Sequence, residues 1–263
     1  MGRKRLRLSS CSFGWACAAS CVVVWSGGAA ALGGNVDLPR FPSMSPDGEQ
    51  IAFSWRGDLW RAPAEGGEAT RLTSHPAIES RSAWSPDGSR LAFVSDRSGW
   101  DQLYTINADG TGLRRVTAEG YSVELSGWTR DGSGLLFSAR REGDVYRASR
   151  PYVVDAAGGP IERVHDAFGS WPVESAVGDS VLFTRGGSPW WRRHYRGPDA
   201  RDVWRFNRSD GTFERLTEWS GNDGRTRAAD DGSVFFLSDR ELDTVNVYRM
   251  GPDASAGEAR RLT

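Results

Sequence analysis

Trp84-Ser85-Pro86-Asp87-Gly88-Ser89-Arg90-Leu91-Ala92-Phe93-Val94 is a tight turn that runs straight into an apolar strand, and the chain repeats it. Proline pre-sets φ at the second turn position, Asp bonds back to nearby amides, and Gly accepts the positive φ that ends the turn. The turn returns as Ser45-Pro46-Asp47-Gly48, Thr129-Arg130-Asp131-Gly132 and Ala229-Asp230-Asp231-Gly232, with a degenerate Val177-Gly178-Asp179-Ser180 in fourth place. A strand-like run follows each copy: Ile51-Ala52-Phe53, Leu91-Ala92-Phe93-Val94, Leu135-Leu136-Phe137, Val181-Leu182-Phe183 and Val234-Phe235-Phe236-Leu237. Each repeat closes on a second echo: Arg71-Leu72-Thr73, Arg115-Val116-Thr117, Arg163-Val164-His165, Arg215-Leu216-Thr217 and Arg261-Leu262-Thr263. Five copies in one phase, roughly 40–50 residues apart, define a repeat protein.

The second repeat shows its strands most clearly, at residues 80–85, 90–96, 102–107 and 113–117, with another turn at Ala108-Asp109-Gly110-Thr111. Four short antiparallel strands per repeat predict an all-β chain, a β-propeller of four-stranded antiparallel blades, with five blades visible of an expected six. A β-sandwich would not repeat one turn in constant phase. Trp84 and Trp128 precede equivalent turns, and Trp60, Tyr104, Tyr146, Trp204 and Tyr248 are expected in third strands. Aromatics that recur in phase with the fold read as packing between blades rather than as a stacking surface.

The first 31 residues differ from the rest. Arg3, Lys4, Arg5 and Arg7 precede a moderately apolar stretch from Leu8 to Trp25, and Ala29-Ala30-Ala31 supplies small residues for cleavage. This order predicts a secretory signal peptide over 1–31 and an exported, periplasmic or extracellular propeller over 32–263. Ser9, Ser10, Ser12 and Ser20 interrupt the stretch, which argues against a membrane anchor, and Cys21 only faintly resembles a lipoprotein site. All three cysteines lie in this leader, so the mature chain is expected to have neither a disulfide nor thiol chemistry. Without its four basic residues the body carries 29 basic against 34 acidic side chains, a net −5 that argues against nucleic acid or an anionic membrane as partner.

The common catalytic signatures are missing: no Gly-x-Ser-x-Gly elbow, no His-Glu-x-x-His and no phosphate loop. His75 and His165 read as structural or surface residues. The turn carboxylates Asp47, Asp87, Asp131 and Asp231 are explained by their turns, so no metal, cofactor or catalytic residue is assigned. One segment departs from the repeat. Between the second strand (181–185) and third strand (202–207) of the fourth repeat, fifteen residues run from Gly186 to Ala200, including Pro189-Trp190-Trp191-Arg192-Arg193-His194-Tyr195-Arg196-Gly197. Loops of that length on compact domains are functional or disordered, and the aromatics and arginines favour order. Trp190, Trp191 and Tyr195 are expected to pack the loop down. Arg192, Arg193 and Arg196 would then meet a neighbouring domain or a peptide carboxylate.

That loop, followed by Arg201-Asp202-Val203-Trp204, resembles the N-terminal six-bladed propeller of tricorn-type proteases, and the blades from Leu38 onward, with Gly57-Asp58-Leu59-Trp60, fit the same pattern. The Ser-Pro-Asp-Gly blades also resemble TolB-like propellers. The tricorn resemblance implies the front part of a large serine peptidase that trims oligopeptides. Its Ser, His and Glu catalytic residues would lie beyond Thr263, its partners would be the downstream domains or oligopeptides, and the full-length protein would form a homo-oligomer. It also implies a pair of neighbouring arginines that holds a substrate carboxylate. Residues 118–124, after the second repeat, contain no such pair; Arg140-Arg141 in the third repeat is a pair, but it does not align with the family's position. The rival expectation is a non-enzymatic TolB-like binding propeller.

Overall fold

The computed structural model describes residues 7–8, 23–24, 36–143, 148–241, 244–252 and 258–263. Apart from a short pairing of β1 (Arg7–Leu8) with β2 (Val23–Val24), the expected leader lies outside the described residues.

The turn motif forms through the bonds its residue types allow. Ser85 Oγ donates to Asp87 Oδ1 at 2.6 Å and accepts the Arg90 amide at 2.9 Å, while Gly88, at φ +70°, donates its amide to the Ser85 carbonyl. Ser45 with Asp47 and Thr129 with Asp131 repeat the arrangement. The bond from Ser85, then the amide of Ser89, holds the Asp87 carboxyl down at about 2, and Thr129 and Ser133 do the same for Asp131.

These turns join strands into five four-stranded antiparallel sheets, the blades of a β-propeller. The first contains β3 (Arg40–Met44), β4 (Gln50–Trp55), β5 (Asp58–Pro63) and β6 (Thr70–Arg71). The second contains β7 (Glu79–Trp84), β8 (Arg90–Ser95), β9 (Gln102–Asn107) and β10 (Arg114–Arg115), and the third β11 (Val123–Trp128), β12 (Gly134–Ala139), β13 (Arg150–Asp155) and β14 (Ile161–Arg163). The fourth contains β15 (Ser170–Glu174), β16 (Ser180–Arg185), β17 (Asp202–Asn207) and β18 (Phe213–Arg215). The fifth contains β19 (Asp223–Ala228), β20 (Val234–Glu241), β21 (Thr244–Met250) and β22 (Arg260–Arg261). Strands pair in sequence order within every sheet.

Tyr146, expected in the third strand of the third blade, falls within residues 144–147, outside the described residues. The connection after β12 is long, the third strand begins only at Arg150, and Tyr152 takes the place, stacked on Phe137 at 5.6 Å. The closing echo then becomes intelligible. Its arginine lies opposite the third-strand aromatic in every blade: Trp60 faces Arg71, Tyr104 faces Arg115, Tyr152 faces Arg163, Trp204 faces Arg215 and Tyr248 faces Arg261. Cross-strand pairs of this kind fix register.

The chain divides into two compact units, residues 1–135 with 155–159 and residues 136–154 with 160–263. In the first, Ala52, Leu59 and Leu72 of one blade pack against Leu91, Phe93, Tyr104 and Ile106 of the next. In the second, Leu182, Val203 and Leu216 meet Val234, Phe236, Tyr248 and Met250 in the same way. Each buried Leu, Ile, Val, Phe or Met side chain among them contributes about 1.5–3 kcal/mol by leaving water. The indoles of Trp84 and Trp128 reach across to the preceding blade, donating to the carbonyls of Ser43 at 3.1 Å and Ala83 at 3.0 Å. The recurring aromatics are therefore packing elements.

Candidate functional site

The fourth-blade loop leaves β16 at Gly186 and rejoins the sheet at β17, entirely within the second compact unit. Its two ends are tied together. Gly187 donates its amide to Asp199 Oδ1 at 2.9 Å, Ser188 donates to the Asp199 carbonyl at 2.9 Å, and the Arg201 side chain donates back to the Ser188 carbonyl. Gly186, at φ +105°, sits so close to the Ala200 carbonyl that a Cβ there would collide with it, so glycine is required.

The far side of the loop is held by the fifth blade. Asp239, fully buried, accepts the His194 amide at 2.9 Å, the Asn222 amide at 2.8 Å, Asn222 Nδ2 at 2.9 Å and the Trp219 indole at 2.9 Å. Burial alone would raise its pKa; the bonds from Asn222, Trp219 and His194 outweigh that and hold the carboxyl below its ordinary value. Asn222 Nδ2 also donates to the Arg192 carbonyl at 3.2 Å, so Asp239 and Asn222 together fix the chain at residues 192–194.

The six candidate contact residues separate on this frame. Trp190 is half-buried with the Arg201 guanidinium 5.3 Å from its ring centre, and Tyr195 is half-buried under Arg192 at 4.4 Å. Trp191 corrects the expectation that all three aromatics pack inward: its side chain is 83% exposed. The turn at 189–192, closed by the Arg192 amide on the Pro189 carbonyl at 2.9 Å, turns one tryptophan in and the next out. Arg192, Arg193 and Arg196 are all exposed. The tied loop thus presents an exposed indole together with exposed arginines at 192, 193 and 196, residue types suited to acidic and apolar partners. Of the Arg140-Arg141 pair, Arg141 donates to the Ile161 carbonyl at 3.1 Å.

Asp239 and Asn222 escaped the reading of the sequence because they lie in the next blade. A signal existed. Ser238-Asp239-Arg240 repeats Ser95-Asp96-Arg97, and Asp96 accepts the amide of Ile78, just before β7, at 2.8 Å as Asp239 accepts that of Asn222, just before β19. The arginines form the matching buried ion pairs Arg97–Glu79 and Arg240–Asp223.

Residues 36–263 match the family described as the Tricorn protease N-terminal beta propeller domain. The chain belongs to that family. It is 32% identical over 211 residues to Tricorn protease homolog 1 of Streptomyces coelicolor, a match covering 77% of this chain and 19% of that protein. The chain thus spans less than a fifth of the length of the curated relatives it matches. Among solved structures, a putative TolB from Agrobacterium tumefaciens superposes with a TM-score of 0.70 at 19% identity, covering 100% of this chain and 90% of that one. The tricorn protease superposes with a TM-score of 0.70 at 18% identity, covering 86% of this chain and 22% of that one. At these identities the two superpositions establish the fold alone.

Proposed function

We propose that this chain is the N-terminal propeller portion of an exported tricorn-like serine peptidase and acts there as a scaffold or substrate-gating domain for oligopeptide processing. Membership of the tricorn N-terminal propeller family carries this reading. The catalytic Ser, His and Glu belong to a downstream region, so the propeller itself cleaves nothing. The projecting face of the fourth-blade loop, Trp191 with Arg192, Arg193 and Arg196, is the surface that meets the downstream domains or a passing oligopeptide. A surface held in place before binding pays little ordering entropy on contact, which suits it to that role. The assay is hydrolysis of fluorogenic oligopeptides by purified residues 36–263. No turnover is expected, and turnover that survives repurification would refute the assignment.

Export rests on the basic, apolar, small-residue order of residues 1–31. Protein from the native host is expected to begin near Leu32, and intact Met1 in a cytosolic fraction would contradict it. A second reading, a TolB-like periplasmic binding propeller, is favoured by the near-complete mutual coverage with the Agrobacterium TolB.

A further inference from the structure

The third blade breaks the closing echo in two places at once. In the other four blades a threonine hydroxyl accepts an amide from the start of the third strand: Leu59 to Thr73, Leu103 to Thr117, Val203 to Thr217 and Val247 to Thr263, all at 2.9–3.0 Å. In the third blade the threonine is replaced by His165, and the residue that would donate is Pro151, which has no N–H. His165 turns instead to the fourth blade, its ring centre 4.3 Å from Phe183, 5.1 Å from Phe206 and 5.3 Å from Phe213. It is 6% exposed, and neither ring nitrogen makes a hydrogen bond of good geometry among the described residues. The groups facing it from β16, β17 and β18 are phenyl rings. The charges that act on it are Arg150 on β13, which disfavours an imidazolium, and the neighbouring carboxyl of Asp166, which lies out in water.

We propose that His165 is an acid-operated release: neutral, it seals the segment after β14 against β16–β18, and protonated, it leaves the phenyl cage and opens that contact. Attraction of a cation to tilted and edge-on rings is too weak to replace the lost hydration of an imidazolium whose ring nitrogens make no hydrogen bond of good geometry. Burial accordingly pushes the His165 imidazole down to about 4 from 6.5, against smaller opposing pulls from the Ala167 backbone and Asp166. The sign follows. Below pH 6.5 the open form binds a proton that the closed form refuses, so closure is fully favoured above that pH and weakens as pH falls toward 4. The opening equilibrium therefore rises by up to about tenfold per pH unit, about 300-fold across the window.

Amide hydrogen exchange of the chain between pH 7.5 and 4.5, corrected for intrinsic rates, tests this in wild type and in His165→Phe, which keeps a ring and loses the proton. Residues 161–170 and 203–216 are expected to open about tenfold more per pH unit below 6.5 in wild type and to show no such slope in the variant. An equal slope in His165→Phe, or a flat wild type, overturns the proposal. Should His165→Phe not fold, the ring of His165 in the wild-type chain, assigned by NMR with the help of His75→Gln and His194→Gln, is expected to stay neutral down to about pH 5. A midpoint near 6.5 overturns it.

Discussion

Single hydroxyl groups decide how each blade closes. Thr117 Oγ1 accepts the Leu103 amide at 2.9 Å and donates to Gln102 Oε1 at 2.8 Å, all out of water. Thr117→Val keeps the shape and strands the Leu103 amide, while Gln102 Oε1 still accepts the Glu119 amide at 2.9 Å, so it is expected to cost about 1–3 kcal/mol in urea unfolding. The third blade supplies the control. His165→Thr alone has no amide to accept, because residue 151 is proline, and recovers nothing; combined with Pro151→Leu it is expected to gain about 1 kcal/mol of coupling in a double-mutant cycle. Additivity of the two changes would show that Pro151 and His165 are unrelated substitutions. Trp191 and Asp239 make the opposite contrast. Trp191→Ala is expected to leave stability within about 0.5 kcal/mol, because the side chain is already in water. Asp239→Ala orphans four N–H donors and is expected to lose about 3 kcal/mol.

At the scale of turns and loops, Asp239→Ala makes a second, local prediction. With His194 and Asn222 released, the backbone around the already exposed Arg192, Arg193 and Arg196 can open locally to fit trypsin, and cleavage within residues 186–200 is expected to quicken well before global unfolding. Unchanged cleavage would mean the loop stands without the fifth blade. The turn carboxylates predict a pH response. Asp87 and Asp131 titrate at about 2 in the folded chain against an ordinary 3.8, so their contribution is present above about pH 4 and is lost as pH falls toward 2. Both are exposed, so the effect is small, and Asp87→Asn with Asp131→Asn should flatten that part of a pH–urea profile.

These turns were legible in the sequence because Ser-Pro-Asp-Gly makes its own hydrogen bonds within six residues. The strands were legible because their apolar runs are periodic, and in the third blade the strand at Arg150–Asp155 brings Tyr152 opposite Arg163, a pairing that the turn motif alone does not locate. The candidate loop stood out by length and composition. Its inward and outward faces did not, because what separates Trp190 from Trp191 is a turn closed at Pro189. What holds the loop is a carboxylate some 45 residues away, which no local pattern specifies.

Within each of the molecule's two compact units, stacking of one blade on the next carries the fold: an apolar face of Leu182, Val203 and Leu216 or of Ala52, Leu59 and Leu72 is covered by the aromatic face that follows. The functional account rests on this propeller being one part of a larger peptidase. It is tested most directly by isolating the native polypeptide from its host with an antibody raised against residues 36–263 and treating it with a fluorophosphonate probe for active serines. The account predicts a polypeptide several times larger than 28.8 kDa, labelled at a serine outside this propeller. A native species no larger than this chain, and unlabelled, would contradict it.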